Sequence, residues 1–216
     1  METFVVIPAC NEEKHIQKVI AAAKQYTSQV VFVDDGSKDQ TAAIAEQQEV
    51  VVLKHFINMG KGAALKTGCD YAYSHGAKNI IVIDGDGQHN PHKIPQFLHA
   101  VEEVDIVFGY RELGQSMPFI LRFGNWFINK STQWLYHIKL RDTQCGYRAF
   151  TAGVYPKIRW QAADYSMESE MIAQAGKHKL KYREIPIETI YSDKYKGTTV
   201  LDGIKIVAKM VKWRLS

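Results

Sequence analysis

Cysteine is scarce in this chain. There are three, Cys10, Cys69 and Cys145, and none is spaced as a CxxC pair. An odd count without paired spacing argues against a disulfide framework and leaves a zinc site without ligands. Cys145 invites two readings, a reactive thiol or a small buried residue, and the second is favoured because free cysteine packs as a small hydrophobe. Long apolar runs are missing too: no stretch reaches the ~18 residues of a membrane-spanning helix. A strand-like run begins at Thr3, which leaves no room for a signal peptide. Cytoplasmic placement is therefore expected, with peripheral attachment to the inner face of a membrane left open. No linker, repeat or low-complexity tract divides the 216 residues, and 46% of them are hydrophobic, so a single domain with a substantial core is expected. The net charge of +4 is too modest to mark a nucleic-acid binder, and no nucleic acid is expected as a partner. The first polar loop, Pro8-Ala9-Cys10-Asn11, contains no glycine. That excludes a dinucleotide-binding fingerprint and the Gly-rich phosphate loop of nucleotidyltransferases.

What the chain does contain is an unusual sequence at a strand end. Asn79-Ile80-Ile81-Val82 reads as a short buried strand, and it runs into IDGDGQHNP, Ile83 to Pro91. In an extended stretch, Asp84, Asp86 and Gln88 alternate and leave on one face. Two carboxylates and an amide oxygen form a hard, all-oxygen half-shell. Such a shell suits Mg²⁺ or Mn²⁺, whose other positions go to water and substrate phosphates. Taken alone, the segment is equally a surface turn, because Asp, Gly and Asn populate turns. The pattern upstream shifts the balance. Phe4-Val5-Val6-Ile7 runs into PACNEE, Val30-Val31-Phe32-Val33 into DDGSKDQT, and Val50-Val51-Val52-Leu53 precedes Asn58-Met59-Gly60-Lys61-Gly62. Helical periodicity follows each, as in Ile16, Val19, Ile20 and Ala23, and again after Pro91 in Ile94, Phe97, Leu98 and Val101. This alternation predicts an α/β fold with a mostly parallel central sheet and helices on both faces. Ligands of such sheets sit beyond the carboxyl ends of the strands, where all these polar motifs converge.

VVIPACNEE, VDDGSKDQT, NMGKGAALKTG, IDGDGQH, FGYR and DTQCGYRAF, in collinear order, resemble the family 2 glycosyltransferases of the GT-A (Rossmann-like) fold. Within them, the chain is similar to the branch of dolichyl-phosphate mannose synthases and other polyprenyl-phosphate glycosyltransferases. The resemblance implies a nucleotide-diphosphate sugar donor (GDP-mannose or UDP-glucose type), a divalent metal, and inversion at the anomeric carbon. It assigns Pro8, Ala9 and Glu12 to the first nucleotide-contacting loop and Asp35 to the acid that contacts the base. Lys61 is grouped with the donor-binding residues. Asp84 becomes the carboxylate near ribose and metal, Asp86 and Gln88 metal ligands, and Arg111 and Arg122 arginines near the donor diphosphate or acceptor phosphate. Residues 1–110 would form the nucleotide-sugar half and 111–216 the acceptor half. Three departures stand out: Cys10 replaces an aromatic, Thr199-Val200 replaces a Ser-Lys pair, and Lys194 stands where Arg is frequent.

A polyprenyl-phosphate acceptor also has a chemical argument behind it. Many inverting glycosyltransferases deprotonate a sugar hydroxyl with a carboxylate, often in a Glu-Asp pair, and no Glu-Asp dipeptide occurs here. A phosphate is already anionic near neutral pH and needs positioning more than a base. Arginine and lysine supply that. Glu170 is the fallback base. The alternative for Arg111 and Arg148 is an ion pair with Glu112 or Asp142; function is favoured for Arg111, and Arg148 stays open. A membrane surface is a further expected partner. Met117 to Ile138 is rich in aromatics, and Gly203 to Ser216 sets Lys205, Lys209 and Lys212 opposite an apolar face. For Gly203 to Ser216 a helix docked on the domain is slightly favoured, because amphipathic surface helices are commonplace; for the aromatic segment, core packing is an equal alternative. Two other functions compete: transfer to a soluble or polymeric sugar acceptor, and non-catalytic binding of a nucleotide sugar. The intact Asp84, Asp86 and Gln88 argue against the second.

Overall fold

The computed structural model describes residues 2–111, 119–188 and 200–215. The first part alternates strands and helices: β1 (Thr3–Ala9), α1 (Ile16–Lys24), β2 (Gln29–Asp34), α2 (Thr41–Glu46), β3 (Val51–Lys54), α3 (Lys61–Ser74), β4 (Asn79–Val82), α4 (Ile94–Val101) and β5 (Ile106–Arg111). Then come α5 (Phe119–Tyr136), β6 (Arg148–Thr151), α6 (Tyr155–Ile158), α7 (Met167–Lys177), β7 (Tyr182–Ile187) and α8 (Val200–Leu215). The strands form one seven-stranded sheet in the order β3-β2-β1-β4-β6-β5-β7.

Strict alternation of side chains along the strands divides the core into two layers. Phe4, Val6, Val31, Val33 and Val82 pack with Leu65 and Cys69 of α3 and Met171 and Ile172 of α7. Val5, Ile7, Phe32 and Ile81 point the other way, against Ile16 and Ile20 of α1 and Phe97 of α4. Fully burying each such aliphatic or aromatic side chain contributes roughly 1.5–3 kcal/mol. The expected mostly parallel sheet with helices on both faces is thus the observed one.

The exception to parallelism is β6, which runs antiparallel to β4 and to β5. That exception builds the site. Parallel β1, β2 and β4 bring Pro8-Ala9, Asp34-Asp35 and Asp84 to one rim. In its antiparallel register, Arg148 at the start of β6 lies opposite Val82 at the end of β4. The DTQCGY loop ahead of β6 therefore reaches the same rim from the opposite chain direction.

α3 crosses the sheet closely at Gly68, where a Cβ would lie 2.4 Å from Val6 Cγ1 and 3.0 Å from Val33 Cγ2. Gly68→Ala should gain about 1 kcal/mol of helix propensity. It should lose more to the overpacked contact, which typically costs 1–3 kcal/mol. A net fall in the midpoint of urea unfolding at unchanged m-value is expected; a rise would show that α3 is free to move off the sheet.

Candidate active site

A cavity of about 610 Å³ opens at this rim. Pro8, Ala9, Glu12, Asp35, Lys61, Asp84, Asp86, Gln88 and Arg111 all line it, so the strand-end residues named from sequence come together. The side chain of Arg122, and Lys194 altogether, lie outside the described residues.

Lys61, the first residue of α3, is at the centre. Its Nζ lies 2.8 Å from Asp84 Oδ1 and 3.0 Å from Glu168 Oε1. Burial works against its charge, but Asp84 and Glu168 outweigh burial and hold the ammonium above its ordinary pKa. Burial likewise disfavours the Asp84 carboxylate; Lys61 brings its pKa below the usual value. The buried His89 accepts from the Asp84 backbone N–H at Nδ1 (3.3 Å), and burial pushes the imidazole below its ordinary pKa, towards the neutral form. Gly146 leaves the space for this group: a Cβ there would meet Asp84 Oδ2 at 2.6 Å and Lys61 Nζ at 2.8 Å.

Asp35, 3% exposed, shapes the neighbouring wall. It accepts from the backbone N–H groups of Met59 and Gly60, both at 2.9 Å, and lies 2.8 Å from His55 Nδ1. The carboxylate at the end of β2 thereby fixes the turn that starts α3. The turn needs a glycine at position 60, whose φ is +97°. Cys10 lines the same wall, within 3.2 Å of Asn58 Nδ2.

On the opposite wall, Asp142 grips Arg111 through Nε (2.6 Å) and Nη2 (3.1 Å), so the ion pair anticipated for Arg111 exists and orients its guanidinium beside the cavity. Arg148 has a structural place. It is 2% exposed and donates to the carbonyls of Cys145, Glu168 and Thr143. Burial pushes the Cys145 thiol up to about 12, which removes the reactive-thiol reading.

The fallback base does not face the cavity. Glu170 accepts from the backbone N–H groups of Gln161 and Ala162, both at 2.9 Å, and serves as an anchor for the loop before α7. Glu168, two residues earlier, lines the cavity in its place, and its Oε2 accepts no hydrogen bond among the described residues. The anchored loop carries Asp164 to the cavity mouth. There Lys209 of α8 donates to Asp164 Oδ2 (2.9 Å) and Ser166 Oγ (2.8 Å). Burial would raise the Asp164 pKa, but the Ser166 hydroxyl and Lys209 bring it down to about 2. His89 and Gly146 stood inside recognised motifs and Lys209 on the basic face of the C-terminal segment, whereas no local signal marked Glu168 or Asp164.

For a divalent ion, the described residues offer no cluster of three or more His, Cys, Asp or Glu side chains. They do offer two carboxylates and one amide on the cavity wall, in a tight turn where the Gln88 N–H donates to Asp86 Oδ1 at 3.0 Å. This donor set fits a hard cation that shares its coordination with a diphosphate, and does not suit one caged by protein alone.

The family model for "Glycosyl transferase family 2" matches residues 4–159, which include every strand-end motif described above. The chain belongs to this family. The family 2 member is 31% identical, over 98% of its own length and 96% of the other's, to the UDP-N-acetylglucosamine–dolichyl-phosphate N-acetylglucosaminyltransferase of Methanococcus voltae. It is 26% identical to the polyprenol monophosphomannose synthase of Mycolicibacterium smegmatis, covering 97% of this chain and 84% of that one. Among solved structures it superposes on glucosyl-3-phosphoglycerate synthase from Mycobacterium tuberculosis, in complex with Mn²⁺, UDP and phosphoglyceric acid. The TM-score is 0.76 at 16% identity, covering 98% of this chain and 78% of that one. The chain is a glycosyltransferase of the GT-A fold, as its motifs led us to expect.

Gly146→Ala should force Lys61 and Asp84 apart. A fall in transfer activity of about tenfold or more is expected, the scale of losing one charge-assisted contact, together with a lower melting temperature. Unaltered activity would show that the pair tolerates displacement.

Proposed function

We propose that this glycosyltransferase moves a sugar, with inversion, from a nucleotide-diphosphate sugar to a polyprenyl phosphate at the cytosolic face of a membrane. One observation carries the choice of acceptor: the acids on the α7 side of the cavity are committed, while cations face the same space. Glu168 pairs with Lys61, Glu170 holds backbone N–H groups, and Asp164 is held by Lys209 and Ser166. Arg111, Lys205 and Lys209 line the cavity, Arg111 paired with Asp142, Lys209 with Asp164, and Lys205 with no carboxylate among the described residues. That distribution suits a nucleophile that arrives as an anion better than a hydroxyl that must lose a proton. The names of the Methanococcus and Mycolicibacterium relatives, both transferases to a polyprenyl-type lipid, support the reading.

In this proposal, Pro8, Ala9, Glu12 and Asp35 hold the nucleoside, with Asp35 also fixing the 58–60 turn. Lys61 and Asp84 sit where diphosphate and sugar meet. Asp84, Asp86 and Gln88 would hold Mg²⁺ or Mn²⁺, which when bound neutralises charge on the leaving diphosphate. Arg111, pre-oriented by Asp142, steadies the acceptor phosphate, with Arg122 and Lys194 assigned to the same task. A phosphate oxygen then attacks the anomeric carbon as its bond to the diphosphate breaks, and no proton has to move. Residues 1–110 act as the donor half and 111–216 as the acceptor half.

Membrane contact fits the second half. No helix among the described residues is long and apolar enough to cross a membrane. α5 is divided: Ile128 and Tyr136 are buried against Ile206 and Met210 of α8, while Trp126 and Trp134 are 52% and 79% exposed. Tryptophans facing outward beside a basic helix suit the headgroup region of a bilayer.

Asp86→Ala should reduce kcat by roughly a hundredfold or more, the scale of losing one charge-stabilising group. Chelator should silence the wild type; full activity in excess chelator would refute the metal assignment. The acceptor is tested by offering a short polyprenyl phosphate and the matching polyprenol with one donor. Transfer to the phosphate alone is expected. Equal transfer to the alcohol would mean that the phosphate is not the nucleophile, and a carboxylate base would have to be found.

A further inference from the structure

Four lysine and arginine side chains line the cavity among the described residues: Lys61, Arg111, Lys205 and Lys209. Three are held by carboxylates. Lys61 is shared by Asp84 and Glu168, Arg111 by Asp142, and Lys209 by Asp164. Lys205 is exposed, and among the described residues it has no carboxylate partner. Its position is defined by the helix that carries it. On α8, Lys205 stands one turn before Lys209, on the same face. Ile206 and Met210 anchor that helix against Ile128 and Tyr136 of α5, and the Tyr136 hydroxyl donates to the Met210 carbonyl at 2.5 Å. Lys205 therefore lies where the polar cavity meets the α5/α8 layer.

We propose that Lys205 binds the phosphate of the lipid acceptor, an assignment that rests on the polyprenyl-phosphate reading above. A phosphate entering here meets a wall rich in acids, including Glu12, Asp84, Asp86 and Glu168. Against that field an anion is held most strongly by a cation whose charge is not already shared with a carboxylate, so Lys205 adds to the contact assigned to Arg111. Lysine suits the task, because its point charge on a flexible stem can follow a phosphate that is itself tethered to a mobile chain. Lys209, by contrast, is spent on holding the 164–166 loop at the mouth.

The test compares Lys205→Ala, Lys205→Arg and Lys212→Ala, the last removing the same charge from an exposed position of α8 outside the cavity. Transfer to a short polyprenyl phosphate is measured in detergent, nucleoside diphosphate binding with Mn²⁺ by calorimetry, and binding to anionic vesicles by sedimentation. Lys205→Ala should raise KM for the acceptor about tenfold or more, as expected for one lost charge-assisted contact. Lys205→Arg should restore most of it, Lys212→Ala should leave it unchanged, and nucleotide affinity should not move. An unchanged acceptor KM in Lys205→Ala overturns the assignment, as does an equal loss of nucleotide affinity, which would place Lys205 on the donor. An equal effect of Lys212→Ala would reduce it to general surface charge. Wild type that ignores the lipid phosphate but uses a water-soluble phosphorylated acceptor overturns the proposed function and this assignment together. Active wild type with an unaffected Lys205→Ala overturns the assignment alone.

Discussion

The rest of the site depends on one ammonium ion held between two carboxylates, Glu168 buried and Asp84 partly so. Lys61 begins α3, Asp84 follows β4 and Glu168 lies in the first turn of α7, so three elements meet at a single charge. Removing Lys61 would leave two neighbouring carboxylates without their counter-charge, a change that typically costs about 3–5 kcal/mol. The surroundings reinforce it. The Trp160 indole donates to the Gly62 carbonyl at 2.8 Å, and the Gly62 N–H donates to Ala163 at 2.7 Å, which locks the start of α3 to the loop before α7. Beneath it, Arg148 satisfies three carbonyls, including that of Glu168. The cavity wall around Lys61 is therefore tied together by contacts from α3, β6 and the loop before α7.

The two sides of the cavity are built differently. One side rests on strand ends and tight turns, with Asp35 fixing the 58–60 turn through two backbone N–H groups. The other rests on a helical layer in which α5, α7 and α8 share a small core of Ile128, Tyr136, Ala173, Ile206 and Met210. The first arrangement suits a ligand recognised atom by atom through backbone groups and short side chains. The second, with lysines at the mouth and tryptophans outside, suits a ligand that is charged at one end and apolar along the rest.

The sequence by itself determined the sheet, the helices on both faces and the cluster of strand-end residues. Those follow from local rules: apolar runs of strand length, helical periodicity after each, and Asp, Asn and Gly where the chain must turn. Asp35, Lys61, Asp84, Asp86 and Gln88 were legible because each stands at the end of such a run or the start of the helix that follows. What only the tertiary structure decided were the partners. Glu168 and Glu170 differ by two positions on one helix, about 200° apart around its axis at 100° per residue. Nothing in their neighbourhood told which would face the cavity and which would anchor a loop. Arg111 and Asp142, or Lys209 and Asp164, lie too far apart in sequence for any periodicity to link them; they meet because an antiparallel β6 returns its preceding loop to the rim and α8 folds back across the mouth. Periodicity shows which face of an element is buried. Which charge lies opposite it depends on how distant segments pack, and that is settled only when the whole chain has folded.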